Sequence, residues 1–243
     1  VWWIDSAYVL VKAVEHGLRP LAVHMDNNWN SNLAQNNIEN IIRKLDIDLY
    51  THVIDWEEYK NMMNGFFKSD VIDVELLYDN AMFAVNYQQA TKFNVKYVLS
   101  GMNESTEGMI MPEGWNWFKF DKKQIKFISN LYSKQKSVTF PSIGTIEYIY
   151  YHFIRKIKWL NFLDFTNYNK EKALKELESQ YSYIRYPYKH YESIFTRFYQ
   201  GYILPRKFNV DKRKNHFSTL IVTKQMNRNQ AIKDLQKIPY KSE

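Results

Sequence analysis

The sequence predicts an α/β fold: a doubly wound parallel sheet followed by a helical C-terminal part. Three observations carry this. Apolar helices and short apolar strands alternate over the first 118 residues. The strands end in loops rich in small polar side chains. The charge changes sign near residue 119.

A helix is expected over 6–15, with Ala7, Val11 and Val14 on one face and Gly17 as its stop signal. A buried strand follows at 21–23 and runs out at His24-Met25-Asp26. Asn30 or Ser31 can cap the next helix, whose apolar face is Leu33, Ile38, Ile41, Ile42 and Leu45. A strand over 49–54, helices over 56–67 and 75–93, and a strand over 95–100 ending at Gly101 complete the pattern. Parallel strands need both faces covered, and sites in such sheets lie beyond the carboxyl ends of the strands. Those ends are 26–31, 54–55 and 101–108. The chain opens almost directly on a helix, so a central strand expected before it is missing, which an incomplete chain would explain.

The remainder reads as helices over 122–132, 145–156, 170–179, 191–202, 212–223 and 229–237, with Asn169 and Asp211 as N-caps. Residues 1–118 carry 8 Lys+Arg against 16 Asp+Glu, and residues 119–243 carry 25 against 10. We therefore expect two regions: 1–118, a nucleotide-binding α/β domain, and 119–243, a mainly helical, basic region for substrate or partner. A basic region attracts phosphate-bearing substrates, nucleic acid or acidic partners, although solvated lysine-rich helix faces give the same composition.

Cysteine is absent, which excludes disulfides, thiol nucleophiles and thiolate metal sites and fits a cytoplasmic location. No apolar run approaches the roughly 20 residues of a membrane helix, so no membrane partner is expected. His16, His24, His52 and His152 show no metal-ligand spacing.

Five segments carry candidate chemistry. The first is Ile4-Asp5-Ser6 at a helix start. The second is Met25-Asp26-Asn27-Asn28-Trp29-Asn30-Ser31 at a strand end. The third is Ser100-Gly101-Met102-Asn103-Glu104-Ser105-Thr106-Glu107-Gly108. The fourth is Lys189-His190-Tyr191-Glu192-Ser193, and the fifth is Asp211-Lys212-Arg213 with His216. Singly each is weak, and Asp-Ser before a helix is a common cap.

Together, and in this order, they resemble the N-acetyl sugar amidotransferases of bacterial surface-polysaccharide and lipopolysaccharide biosynthesis, members of the PP-loop ATP pyrophosphatase superfamily. The resemblance runs from Asp5 to about Tyr240. It implies the adenine nucleotide alpha hydrolase-like fold. It also implies ATP-dependent adenylation of an acetamido oxygen on a nucleotide-linked sugar, then attack by ammonia to leave an acetamidino group. ATP and Mg²⁺ would be required, and a glutaminase and a synthase subunit would supply the ammonia.

Residue by residue, the resemblance implies that Asp5 and Ser6 hold pyrophosphate, with Asp5 also a metal ligand. Asp26, Asn28, Trp29, Gly101 and Asn103 would border the nucleotide, although Trp29 reads equally as a core residue. Glu107 would bind metal or orient the sugar amide, Lys189 would meet a phosphate, and His190 would take a proton from ammonia. Thr106, Glu192, Ser193, Lys212 and Arg213 would contact the substrate. The sequence departs from the family's Ser-Gly-Gly phosphate loop, having Val1, Trp2 and Trp3 there. Alternatives are a PP-loop enzyme that modifies tRNA, with the basic half as an RNA footprint, and a non-catalytic scaffold. Nucleic acid is the less expected partner, because no RNA-binding module is recognisable.

Overall fold

The computed structural model describes residues 4–132, 138–186 and 192–240. Helix α1 (Ile4–Glu15) ends as expected at Gly17. Gly17 takes φ +75°, Leu18 N–H reaches Ala13 O at 3.0 Å and Gly17 N–H reaches Val14 O at 2.9 Å. These are the two bonds of a Schellman motif, and its left-handed position favours glycine.

Strand β1 (Ala22–Asp26) runs through the predicted strand end to Asp26, because its backbone pairs in parallel with β2 (Leu49–Val53) up to Asp26↔Val53. Between them lies α2 (Asn32–Leu45), capped by Ser31 Oγ, which accepts from Ala34 N–H at 3.2 Å. Helix α3 (Trp56–Lys68) is capped by Asp55, and α4 (Leu76–Lys92) is the long buried helix. Strand β3 (Tyr97–Ser100) leads to the single turn α5 (Glu104–Glu107), and α6 (Lys122–Tyr132) follows.

Helix α7 (Thr145–Ile149) continues as a π-helical turn, Tyr150–Ile154, into a strand the sequence reading missed, β4 (Lys158–Asn161). A four-residue strand three residues after a helical turn offers no run long enough to show period-two alternation. It pairs in parallel with β3, Tyr97↔Lys158 to Ser100↔Asn161. A 3₁₀ turn (Phe162–Phe165) and α8 (Lys170–Tyr181) follow, the latter capped by Asn169 as expected. The single helix expected over 191–202 is instead α9 (Ile194–Phe198), a π turn (Tyr199–Ile203) and α10 (Leu204–Lys207). The chain ends in α11 (Arg213–Val222) and α12 (Arg228–Gln236).

The expected doubly wound sheet is not what forms among the described residues. The architecture is mixed α/β, with two separate two-stranded parallel sheets, β1–β2 and β3–β4. Strands join a sheet only where their backbone donors and acceptors meet in a ladder, and no described strand lies between the two pairs. The strand expected ahead of α1 falls outside the described residues. Helix α4 packs against both β1 and β3, so it spans the two pairs.

Two buried polar clamps tie the basic half to α4. Asn80 donates to Lys119 O and Ile143 O at 2.7 and 2.6 Å and accepts from Ile143 N–H at 3.0 Å. Lys119 bridges Asp73 and Asp79 at 2.7 and 2.8 Å. Burial works against its charge, but the two carboxylates outweigh this and hold its pKa above the ordinary lysine value. The main core, around Tyr59, Phe66, Leu77 and Ile125, also takes in Phe195 and Tyr199 from the C-terminal part.

Candidate functional site

The carboxyl ends of β1 and β3 carry the segments that the sequence singled out. After β1, the Asp26 carboxylate accepts from Asn28 N–H at 2.9 Å and from the Asn30 side chain at 3.1 Å. Asn28 takes φ 64°, a left-handed turn that asparagine tolerates, and its side chain lies 3.5 Å from Ile54 O. The Asn30 amide also meets the ring of His24 at 3.2 Å. Burial, with only weak opposition from Asp26, drives the His24 pKa down to about 4, so His24 is neutral in the folded protein near pH 7. A cavity of about 390 Å³ opens between α2 and the β1–β2 pair, with His24, Asp26, Ile38, Ile42 and Thr51 in its wall.

The C-terminal signature zips onto this loop. Ser31 N–H donates to Glu192 O and Ile194 N–H to Trp29 O, both at 2.9 Å, and Asn30 bridges Ser193 in antiparallel fashion. The buried Glu192 therefore stands beside the β1 loop. Trp29, left open between nucleotide contact and core, packs into an aromatic cluster. Its ring lies 5.2 Å from Trp56 and 5.7 Å from Phe195.

After β3, Gly101 lies against the start of α1. A Cβ at this position would stand 2.7 Å from both Ser6 N and Ser6 Oγ. Only glycine lets the β3 loop approach the first turn of α1 without filling the space before its donors. Asp5 at that turn is buried and accepts a hydrogen bond from Tyr168 Oη. Asn103 accepts from Thr106 N–H at 2.9 Å and from Thr106 Oγ1 at 3.1 Å, and donates to Gly101 O at 3.1 Å. Asn103 and Thr106 thus shape the α5 turn, and Glu107 at its end is exposed.

Three tyrosines connect these carboxylates electrostatically. The Tyr168 phenol is pushed up by burial, then by Asp5, with Glu107 adding. Tyr183 is pushed up by burial, then by Tyr186, with Glu192 and Asp5 adding. Tyr78 is pushed up by burial, then by Asp79 and Tyr59, with Asp26 and Glu192 adding. Asp5 and Glu107 thus both act on Tyr168, Asp5 and Glu192 on Tyr183, and Asp26 and Glu192 on Tyr78, and Tyr168 donates to Asp5.

Three expected substrate contacts are committed to internal structure. Ser193 Oγ caps α9 by accepting from Thr196 N–H at 3.2 Å. Lys212 pairs with Glu75 at 3.1 Å, beside Gln200 at 2.8 Å from the same oxygen. Arg213 uses all five of its N–H donors: its Nε and one terminal N–H on Asp211, the other three on the carbonyls of Asp234, Leu235 and Lys237 at the end of α12. In this arrangement all five donors are taken up by protein acceptors. Asp211 is not the α11 cap either; it accepts from Arg213 N–H at 3.0 Å, while Lys212 holds the N-cap position. Lys189 and His190 lie outside the described residues, as do Val1, Trp2 and Trp3. Sequence reasoning missed Tyr168 and Tyr183, whose only signal was their place beside α8 in an aromatic-rich chain.

Among the described residues no three His, Asp or Glu side chains stand close enough together to form a protein-only metal site. Mg²⁺ bound through substrate phosphates needs only one or two carboxylates, and Asp5 and Glu107 are the candidates the sequence offers for it.

Residues 192–243 match the family model described as the C-terminal domain of the WbpG-like LPS biosynthesis proteins. The match begins at Glu192, the residue whose carbonyl receives Ser31 N–H. No curated protein matches the chain. No described helix is long and apolar enough to cross a membrane.

Proposed function

We propose that the chain is an ATP-dependent amidotransferase of lipopolysaccharide biosynthesis that converts an acetamido group on a nucleotide-linked sugar to an acetamidino group. The carrying observation is that the WbpG-like segment begins on the β1 loop and brings Glu192, which acts with Asp26 on Tyr78 and with Asp5 on Tyr183. In this reading the nucleoside lies beside Asp26 and Asn28, and the pyrophosphate meets Ser6 N–H and Oγ at the start of α1, in the space that Gly101 keeps clear. When bound, Mg²⁺ neutralises phosphate charge.

The amide oxygen attacks the α-phosphorus of ATP and pyrophosphate leaves, turning a very poor leaving group into AMP. Ammonia then adds to the imidate carbon, a proton leaves nitrogen, and AMP departs. Glu107 orients the acetamido group. Lys189 and His190 fill the roles of phosphate contact and proton acceptor, and a glutaminase with a synthase subunit delivers the ammonia.

The test supplies Mg-ATP, a UDP-linked N-acetyl sugar and ammonium chloride, and follows pyrophosphate. Sustained release over many turnovers should require all three, at most one equivalent should appear without ammonia, and Glu107→Gln should cut turnover about 100-fold without moving the melting temperature. Release that ignores the sugar, or that tRNA triggers instead, would overturn the reading.

A further inference from the structure

The opposite end of the β3–β4 pair carries a surface that this chemistry does not use. Helix α7 and its π turn pack inward through aromatics: Tyr148 stacks on Phe120 at 4.4 Å between ring centres, and Tyr151 on Tyr87 at 4.9 Å. A surface helix anchored this way normally turns polar residues outward. This one turns out Ile146, Ile149, Phe153 and Ile154, exposed by 82, 47, 65 and 69%. Phe93 and Tyr97, at the same end of the strand pair, are exposed by 51 and 56%. The two segments are joined where Lys96 Nζ donates to Arg155 O at 3.0 Å and Lys158 N–H donates to Lys96 O at 2.8 Å.

Charge on this surface has one sign. Lys96, Lys156 and Lys158 are exposed next to them in the chain, and Arg155 is half-buried with its guanidinium 3.5 Å from Thr91 O. The one acid within 145–158 is Glu147, which Lys122 already holds at 2.5 Å.

We infer that this face docks on an anionic lipid bilayer, with the isoleucines and phenylalanines entering the headgroup boundary and the basic side chains meeting lipid phosphates. Exposed apolar side chains interleaved with lysine and arginine are the composition that interfacial binding requires. A second copy is disfavoured, because a two-fold interface pairs this face with itself and would bring the basic side chains of one copy against a face whose free charges are also basic. Single-stranded RNA would stack on the aromatic rings but gains nothing from Ile146, Ile149 and Ile154. Binding would be peripheral, in keeping with the absence of a spanning helix among the described residues.

Sucrose-loaded vesicles test this. The protein should co-sediment about tenfold more strongly with phosphatidylcholine vesicles containing roughly one-third phosphatidylglycerol than with phosphatidylcholine alone, and salt should weaken binding. Ile149→Ser with Phe153→Ser, and separately Lys156→Gln with Lys158→Gln, should each reduce it about tenfold. Circular dichroism and melting should not change, since these side chains are exposed. Failure to bind anionic vesicles would overturn the inference. So would tighter binding to single-stranded RNA than to vesicles, or a dimer in sedimentation equilibrium that Phe153→Ser abolishes.

Discussion

The two ends of the β3–β4 pair differ in almost every physical respect. At the carboxyl end, Gly101 lies against the first turn of α1, and Asp5 and Glu107 both act on the buried Tyr168 phenol. At the amino end, basic and apolar side chains face solvent with few internal partners. At one end polar groups hold one another in place; at the other, large apolar side chains are left exposed. The same short parallel strands serve both, because their direction separates loops that carry chemistry from loops that do not.

The strongest perturbation should strike the joint that both ends share. Asn80→Ala leaves Lys119 O, Ile143 O and Ile143 N–H without their buried partner, and should cost about 3–4 kcal/mol in urea unfolding. Nucleotide binding and vesicle binding should then fail together. Loss of only one would show that the ends are independent.

Acid should weaken the carboxylate end selectively. His24 titrates at about 4 when folded and near 6.5 when unfolded, so between these values the unfolded chain binds the extra proton. Stability is full above pH 6.5 and falls by up to about 3 kcal/mol as the pH drops to about 4. In His24→Gln the pH slope in this window should flatten, measured by denaturant melts at several pH values.

Gly101→Ala pushes a methyl group onto the backbone of Ser6, and about 2 kcal/mol of stability should go with it. Titration calorimetry should show Mg-ATP affinity reduced at least about tenfold, with vesicle binding unchanged. An unaltered ATP affinity would remove the α1 turn from the site. The smallest effect belongs to Arg213→Lys, since an ammonium cannot reproduce the five-donor fork. A loss of about 1 kcal/mol with unchanged ATP affinity is expected; a large fall in ATP affinity would mark Arg213 as a ligand.

Much of this was legible beforehand because it rests on local rules. Helix α1 with its Gly17 stop, the Asn169 cap and the strand end at Ser100 follow from side-chain periodicity and cap chemistry within a few residues. Strand β4 was not legible, since a strand of four residues is defined by its partner β3 rather than by its own pattern. The split into two strand pairs likewise depends on which backbones meet.

The site divides along the same line. Residue type and order singled out Asp5, Asp26, Glu107 and Glu192, and those choices needed no coordinates. Whether a singled-out side chain still has capacity for a ligand is a different matter. Arg213 is an arginine at a helix start like many others until α12 folds back and takes its donors. Trp29 reads as nucleotide platform or core until Trp56 and Phe195 close around it. Sequence alone therefore determined most of the helices, three of the four described strands and the inventory of chemical groups, because short-range geometry fixes these. The tertiary structure alone decided which groups are spent and which remain, because hydrogen bonds and burial are allotted between residues far apart in the chain.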